Sequence, residues 1–179
     1  MATKEEFWAR KKQLNDDFTV LGSVANPATQ EQILEYEKQT GFTFSDDFKD
    51  FLTTFGSLIF EVKESVWTRP QQYDVLPAWK FGYGFFVYGL SQDETMPSWM
   101  TFDEKHNEAL QYKEKPIGQM FFKHSGNGYR AYTNNGLIKI EYDKYDETDV
   151  KTFNGNLWDF LIQEIDNLEN DYKKYLEEK

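Results

Sequence analysis

Histidine, the side chain most often used as a general base or metal ligand, occurs only twice in this chain of 179 residues. His106 and His124 do not form a His-x-x-x-His or His-Glu-x-x-His motif. The chain has no cysteine, which excludes a disulfide, a thiolate nucleophile and a sulfur-ligated metal. We predict no metal site, and we interpret His124 as a hairpin residue and His106 as a solvated one.

Paired carboxylates could serve as a general acid and a general base, and the chain has three such pairs: Asp46 with Asp47, Asp93 with Glu94, and Asp146 with Glu147. That chemistry requires surroundings that separate the two pKa values, and a sequence does not show them. The first pair lies in the first turn of a predicted helix, where the helix dipole favours carboxylates. We predict no catalytic residue and no cofactor, and an enzyme with an unrecognised carboxylate site remains the alternative.

The chain is strongly acidic, with 31 Asp and Glu against 20 Lys and Arg and a formal net charge of −11. Such a charge repels phosphate backbones and anionic lipid headgroups, so we expect neither nucleic acid nor a membrane as a partner. An acidic surface suits a basic partner protein. A nuclease is one example, because the surface that holds its substrate is basic. The alternative is that the acidity only keeps the protein soluble.

Acidic residues are concentrated between Glu141 and Glu178, where twelve carboxylates face four lysines. On the loop before the last helix, carboxylates would steer a basic partner and accept its arginines, and Tyr142 could anchor the contact. We predict a partner-binding surface there, formed by Asp143, Tyr145, Asp146, Glu147 and Asp149. An ordinary solvated loop is the alternative.

Three helices are predicted in the N-terminal third of the chain. Capping-box patterns begin at Thr3 and Thr29, and apolar residues at helical spacing follow each of them. Gly41 is typical of a helix C-terminus, and Ser45 is placed to cap the third helix. Residues 16–26 have no sustained period, so we expect an extended connection there.

The pattern then changes to strands, which we predict at residues 58–62, 85–88, 119–124, 129–133 and 137–142. Asn-Gly turns favour tight hairpins between the last three strands. In the last strand the alternation places Ile138, Ile140 and Tyr142 towards the core and Lys139, Glu141 and Asp143 towards water. The combination of helices and a meander of antiparallel strands predicts an α+β protein.

Two more helices are expected, a short one at residues 102–112 and a long one at the end of the chain. Leu157, Leu161, Ile165, Leu168 and Tyr172 recur at helical spacing in the second. Its first half is expected to pack on the sheet. From Asn170 onward the helix is richly charged, and we expect that part to project or fray.

The length of the chain predicts one domain over residues 1–179, with a core at about 28–162. Residues 1–27 would form the N-terminal helix and its connection, and 163–179 the charged end of the last helix. The most apolar stretch, 81–90, is interrupted by glycines and far shorter than the roughly 20 residues of a membrane helix. The charged N-terminus does not look like a secretory signal, so we expect a cytoplasmic protein.

The segment Ile33–Leu52, followed by Phe55-Gly56, resembles the hallmark of the SUKH superfamily, also called the Smi/Knr cell-wall-assembly regulators. The likeness continues through 87–90, 121–129 and 157–161, and it spans roughly residues 28–162. Ser45 replaces the usual proline, and Asn127 stands where aspartate is common. The motif positions that carry over, with a structural role, are Glu37, Gly41, Phe44, Phe48, Phe51, Leu52 and Gly56.

This resemblance implies a curved, mostly antiparallel sheet packed against N-terminal helices and a long C-terminal helix. It also implies a non-enzymatic protein-binding module, an immunity protein that binds and neutralises a cognate bacterial toxin such as a nuclease. The alternative is a regulatory scaffold of cell-wall synthesis or signalling machinery. A monomer or a weak homodimer fits either function.

Overall fold

The computed structural model describes residues 1–23, 26–68, 83–90, 97–112, 117–125, 128–143 and 148–179. The α-helices of this part are α1 (Lys4–Lys11), α2 (Gln30–Thr40), α3 (Asp46–Thr54), α4 (Phe102–Tyr112) and α5 (Leu157–Glu177). A 3-10 turn covers Ser98–Met100. The strands are β1 (Phe18–Ser23), β2 (Ser57–Val62), β3 (Gly84–Val87), β4 (Gln119–His124), β5 (Tyr129–Asn134), β6 (Leu137–Asp143) and β7 (Thr148–Phe153).

The seven strands form one antiparallel sheet in which spatial order follows chain order, with β1 and β7 at the edges. Helices from both ends of the chain cover its first face through aromatic contacts. The ring of Phe7 in α1 lies 6.3 Å from Phe60, and that of Phe160 in α5 lies 4.9 Å from Phe122. The predicted α+β class, with N-terminal helices and a C-terminal helix, is confirmed.

The predicted helix ends are confirmed at most positions. Thr3 and Thr29 both form complete capping boxes, and Gly41 ends α2 in the left-handed conformation with φ 74°. Ser45 stands at the N-cap of α3, but among the described residues its side chain makes no capping hydrogen bond. The sequence therefore predicted its position correctly and its hydrogen bond wrongly.

Gly89 is required by a close approach of two backbones. A Cβ atom at this position would overlap the carbonyl group of Gly56. Gly89 follows β3 and Gly56 precedes β2, so the two residues meet where these neighbouring strands adjoin. A side chain at Gly89 would therefore push the paired strands apart.

The two edge strands were not predicted from the sequence. Residues 18–23 were expected to be an extended connection, and they form β1, paired along its whole length with β2. Asp149 was expected to lie on the loop before the last helix, and residues 148–153 instead form β7 beside β6. The strand β7 is exposed at Val150, Lys151 and Thr152. Because an exposed edge strand accepts charged residues, its sequence lacks the apolar alternation that predicts a strand.

The predicted alternation of buried and exposed side chains along β6 is confirmed for the buried face and wrong for the face expected to be exposed. Ile138 and Ile140 are buried as expected, and Tyr142 is half-buried. Glu141 is only 2% exposed, although it was expected to face water, and its carboxylate accepts a hydrogen bond from the Tyr132 hydroxyl at 2.7 Å. The second face of the sheet is itself covered, for example where Trp99 packs edge-on against Phe86.

The end of α5 is anchored, which corrects the expectation that it projects or frays from residue 170. Tyr172 is buried, and its hydroxyl donates a hydrogen bond to Asp17 at 3.1 Å. Tyr175 stacks on Trp67 with the ring centroids 4.9 Å apart. Among the described residues, no helix combines the length and apolarity needed to cross a bilayer.

Candidate partner-binding surface

The predicted acidic loop is only partly within the described residues. Asp143 ends β6, and Asp149 lies in β7 and not in a loop. Tyr145, Asp146 and Glu147 lie outside the described residues, as do Asp93, Glu94 and Asn127. Asp149 therefore places this part of the predicted surface on the edge strand β7.

Asp149 is the cross-strand neighbour of Tyr142, and the two side chains lie on the face of the sheet that α5 covers. Lys151 is on the same face. Its ammonium group lies 3.5 Å from the carboxylate of Asp149 and 5.3 Å from the centroid of the Tyr142 ring. An acidic group and an aromatic ring thus lie side by side at the edge of the sheet.

A groove of about 310 Å³ runs between α5 and strands β5 and β6. Tyr142, the cross-strand neighbour of Asp149, lines it. We call it the α5–β6 groove. Its lining is mainly polar and joins carboxylates, amides, an ammonium group and two tyrosine rings. The lining includes Tyr129, Tyr142, Glu164, Asn167, Asp171 and Lys174.

The spacing of α5 explains why these side chains share one wall of the groove. Glu164, Asn167 and Asp171 are three and four residues apart, so they form one stripe along the helix. The neighbouring stripe, which includes Leu161, Ile165 and Leu168, is buried. Packing of that apolar stripe fixes the rotation of α5 and directs the polar stripe along the edge of the core.

Glu164 is the most enclosed carboxylate of the groove, with only 2% of the residue exposed. The hydroxyl of Tyr129 donates a short hydrogen bond to it, and the amide of Asn167 contacts its other oxygen at 3.4 Å. Burial raises the pKa of Glu164 to about 7, and the negative charge of Asp171 adds to that shift. The hydrogen bonds from Tyr129 and Asn167 lower the pKa, but they do not offset the effect of desolvation.

His124 lies behind this pair, buried and stacked on Tyr129 with the ring centroids 5.0 Å apart. Burial lowers the pKa of His124 to about 4, although Asp171 acts in the opposite direction. The imidazole is therefore neutral at pH 7. It ends β4 as the predicted hairpin residue, whereas His106 is half-buried against the ring edge of Phe42 and not simply solvated.

The chemistry of the groove suits recognition of a cation. Carboxylates accept hydrogen bonds from guanidinium or ammonium groups, and the face of a tyrosine ring attracts such groups. Among the described residues, no group of three or more His, Cys, Asp and Glu side chains could hold a metal ion. Asp47, one of the paired carboxylates, instead accepts a hydrogen bond from the backbone N–H of Leu157 at 2.6 Å, which fixes the start of α5.

Sequence reasoning missed Glu164, Asp171 and Tyr129 as members of one site. The helical spacing of α5 was visible, and it gave the only signal for the shared stripe of Glu164 and Asp171. Tyr129 reaches Glu164 across 35 residues of chain, through the pairing of β4 with β5 and the packing of α5 on both. A pattern in the sequence does not reveal that contact.

The motif residues of the N-terminal half hold two helices together. The carboxylate of Glu37 accepts a hydrogen bond from the backbone N–H of Phe44 at 2.6 Å and lies 3.1 Å from the ammonium group of Lys49. Gly41 makes the turn between these residues. The apolar motif side chains are all buried: Phe44, Phe48, Phe51 and Leu52.

Comparison with known families agrees with this arrangement. Residues 12–78 match the family model described as SUKH_5, SMI1-KNR4 cell-wall. This match over part of the chain supports membership of the SUKH superfamily. No curated protein matches it.

The SUKH match covers β1, α2, α3 and β2, and therefore includes the motif around Glu37 and Gly41. It supports a non-catalytic protein-binding role in general, because SUKH proteins are generally immunity or regulatory proteins and not enzymes. The α5–β6 groove lies outside the matched segment.

Proposed function

We propose that this chain is an immunity protein that binds and neutralises a cognate bacterial toxin with a basic surface. The contact surface is the α5–β6 groove together with Asp149 at its edge. One observation carries the proposal: the groove combines carboxylates with the half-buried ring of Tyr142, on a chain of net charge −11. This combination favours a cationic protein surface.

The charge of the whole chain governs the approach of the partner. A toxin that cleaves nucleic acid holds phosphates with basic residues, so its active-site cleft is attracted to an acidic protein. Attraction of this kind raises the association rate and weakens as salt is added. Occlusion of the cleft would then stop substrate from entering, without any chemical step by the immunity protein.

Individual groove residues have different parts in the contact. Asp171 is half-buried at the groove wall, where the ammonium group of Lys174 lies 3.9 Å from its carboxylate, and an arginine or lysine of the toxin would take the place of that lysine. Tyr142 lines the same groove with its ring, and aromatic side chains of this kind often anchor interfaces. Glu164 lies deeper and adds negative potential when it is ionised. The chain would act in the cytoplasm of the toxin-producing cell.

Co-expression with the toxin encoded in the neighbouring reading frame tests this proposal. The wild-type chain should rescue growth, and Asp171→Lys combined with Tyr142→Ala should abolish the rescue. Glu31→Lys, an equal charge change at an exposed position of α2, should still rescue. Rescue that is undiminished in the double variant would contradict the proposed surface, and failure of the wild type to rescue would contradict the function.

The alternative is a regulatory scaffold of cell-wall synthesis or signalling machinery, and the description of the matching family model favours it. A scaffold binds several proteins and needs no toxin gene nearby. Affinity purification of the tagged chain from its own cells distinguishes the two functions. Recovery of a wall-synthesis or signalling complex supports the scaffold, whereas recovery of a single basic toxin supports immunity.

A further inference from the structure

The strand β7 is an open edge of the sheet. It pairs with β6 on one side, and among the described residues no strand pairs with its other side. Val150 is 43% exposed, and Lys151 and Thr152 are also exposed. Edge strands present unpaired backbone N–H and C=O groups, so an open edge is a template for another strand unless the protein protects it.

The usual protection of an edge strand is weak in β7. Proteins protect such edges with proline, or with charges that repel an incoming strand. The strand Thr148–Phe153 contains no proline, and its two charges, Asp149 and Lys151, are opposite in sign. They are two residues apart, so both project from the same face, and Val150 projects from the other.

This pattern is complementary to itself. If two copies of β7 pair antiparallel about a two-fold axis at Val150, then Asp149 of each copy lies directly opposite Lys151 of the other. Two ion pairs form on one face of the joined sheet, and the two Val150 side chains meet on the other. Directly opposite side chains of opposite charge stabilise an antiparallel pair, and like charges destabilise it.

The other edge of the sheet does not offer such a pattern. The strand β1 (Phe18–Ser23) has no charged residue, so no ion pair would specify the register of a second strand on it. Pairing of β1 with β7 of another copy would be head-to-tail and would not close on itself, whereas β7 with β7 forms a closed dimer. The charges therefore favour a second copy of this chain as the occupant of the β7 edge.

We propose that two copies of this chain associate through antiparallel pairing of their β7 strands, centred on Val150, to give a weak two-fold dimer with one continuous sheet. The dimer forms without the proposed toxin, but it uses Asp149, so dimerisation and toxin binding would compete for this carboxylate. The test of the dimer uses the purified chain alone, so its failure would leave the proposed function untouched.

Charge exchange between two variants provides the test, with sedimentation velocity over a concentration series at about 0.15 M salt. Asp149→Lys places lysines opposite lysines, and Lys151→Asp places aspartates opposite aspartates. Each variant alone should dimerise about tenfold or more weakly than the wild type. An equimolar mixture should recover the wild-type affinity, because every lysine then faces an aspartate.

Circular dichroism and the melting temperature of each variant check that these exposed substitutions leave the fold intact. Three results would each overturn the proposal. The wild type could remain monomeric at every concentration, the single variants could dimerise as tightly as the wild type, or the mixture could fail to associate. If β7 paired only with a strand of another protein, the purified wild type would remain monomeric.

Discussion

The carboxylate of Glu37 accepts a hydrogen bond from the backbone N–H of Phe44 at 2.6 Å, across the turn between α2 and α3. The same carboxylate lies 3.1 Å from the ammonium group of Lys49 in α3. One side chain therefore joins the end of one helix to the segment that begins the next. This contact explains in physical terms why glutamate occupies its position in the SUKH motif.

Replacing Glu37 by alanine should destabilise the fold by about 2 kcal/mol, because the N–H of Phe44 loses a charged acceptor and Lys49 loses its partner. Glu37→Gln retains an acceptor and should cost less. Urea denaturation gives both values. Glu35→Ala, at a more exposed position of the same helix, is the control and should change stability by less than about 0.5 kcal/mol. Equal losses of stability in Glu35→Ala and Glu37→Ala would show that the contact of Glu37 with Phe44 and Lys49 does not stabilise the fold.

Gly41→Ala should cost about 1 kcal/mol, because Gly41 has φ 74°, a conformation that a Cβ atom disfavours. No atom lies within 4 Å of the added methyl group, so the loss would report backbone strain alone. Gly41→Asn should cost less, since asparagine tolerates this conformation better. Thermal denaturation of the two variants measures the difference, and an alanine variant as stable as the wild type would contradict the assignment.

Glu164 should make the stability of the fold depend on pH. Its pKa is raised from 4.5 to about 7 in the folded chain, so folding favours the protonated carboxyl group. The resulting stabilisation is fully present below about pH 4.5 and is lost as the pH rises through about 7. Glu164→Gln keeps a neutral acceptor for Tyr129 and should gain up to about 3 kcal/mol relative to the wild type over that range.

Chemical denaturation of both proteins between pH 4.5 and 8 measures this effect. Glu177→Gln removes an exposed carboxylate from the same helix and serves as the control. A difference in stability between wild type and Glu164→Gln that does not change with pH would mean that the carboxyl group of Glu164 is not buried in the folded chain.

The sequence was most informative where the signals are local. The capping boxes at Thr3 and Thr29, the left-handed Gly41 and the aromatic stripe of α3 depend on residues within a few positions of one another. For the same reason the hairpin strands β4, β5 and β6 were predicted nearly to their ends. Together with the motif around Glu37, these elements were enough to predict the fold class and the superfamily.

What the sequence did not show depends on distant contacts. The edge strands β1 and β7 were missed because pairing with β2 and β6, and not an apolar alternation, defines them. The burial of Glu141 was missed because other parts of the chain cover the second face of the sheet. Glu164 and Tyr129 meet only after α5 packs on β4 and β5. The candidate site was therefore predicted at its edge, through Asp149 and Tyr142, and not at its centre.

The affinity of the chain for the toxin domain encoded beside it tests the central claim most directly. Isothermal titration calorimetry at low and high salt should show tight binding by the wild type that weakens as salt is added. Asp171→Lys should bind about tenfold or more weakly, with a smaller salt dependence, whereas Glu31→Lys should bind nearly as the wild type does. Absence of binding even at low salt, or equal loss in both variants, would contradict recognition through the α5–β6 groove.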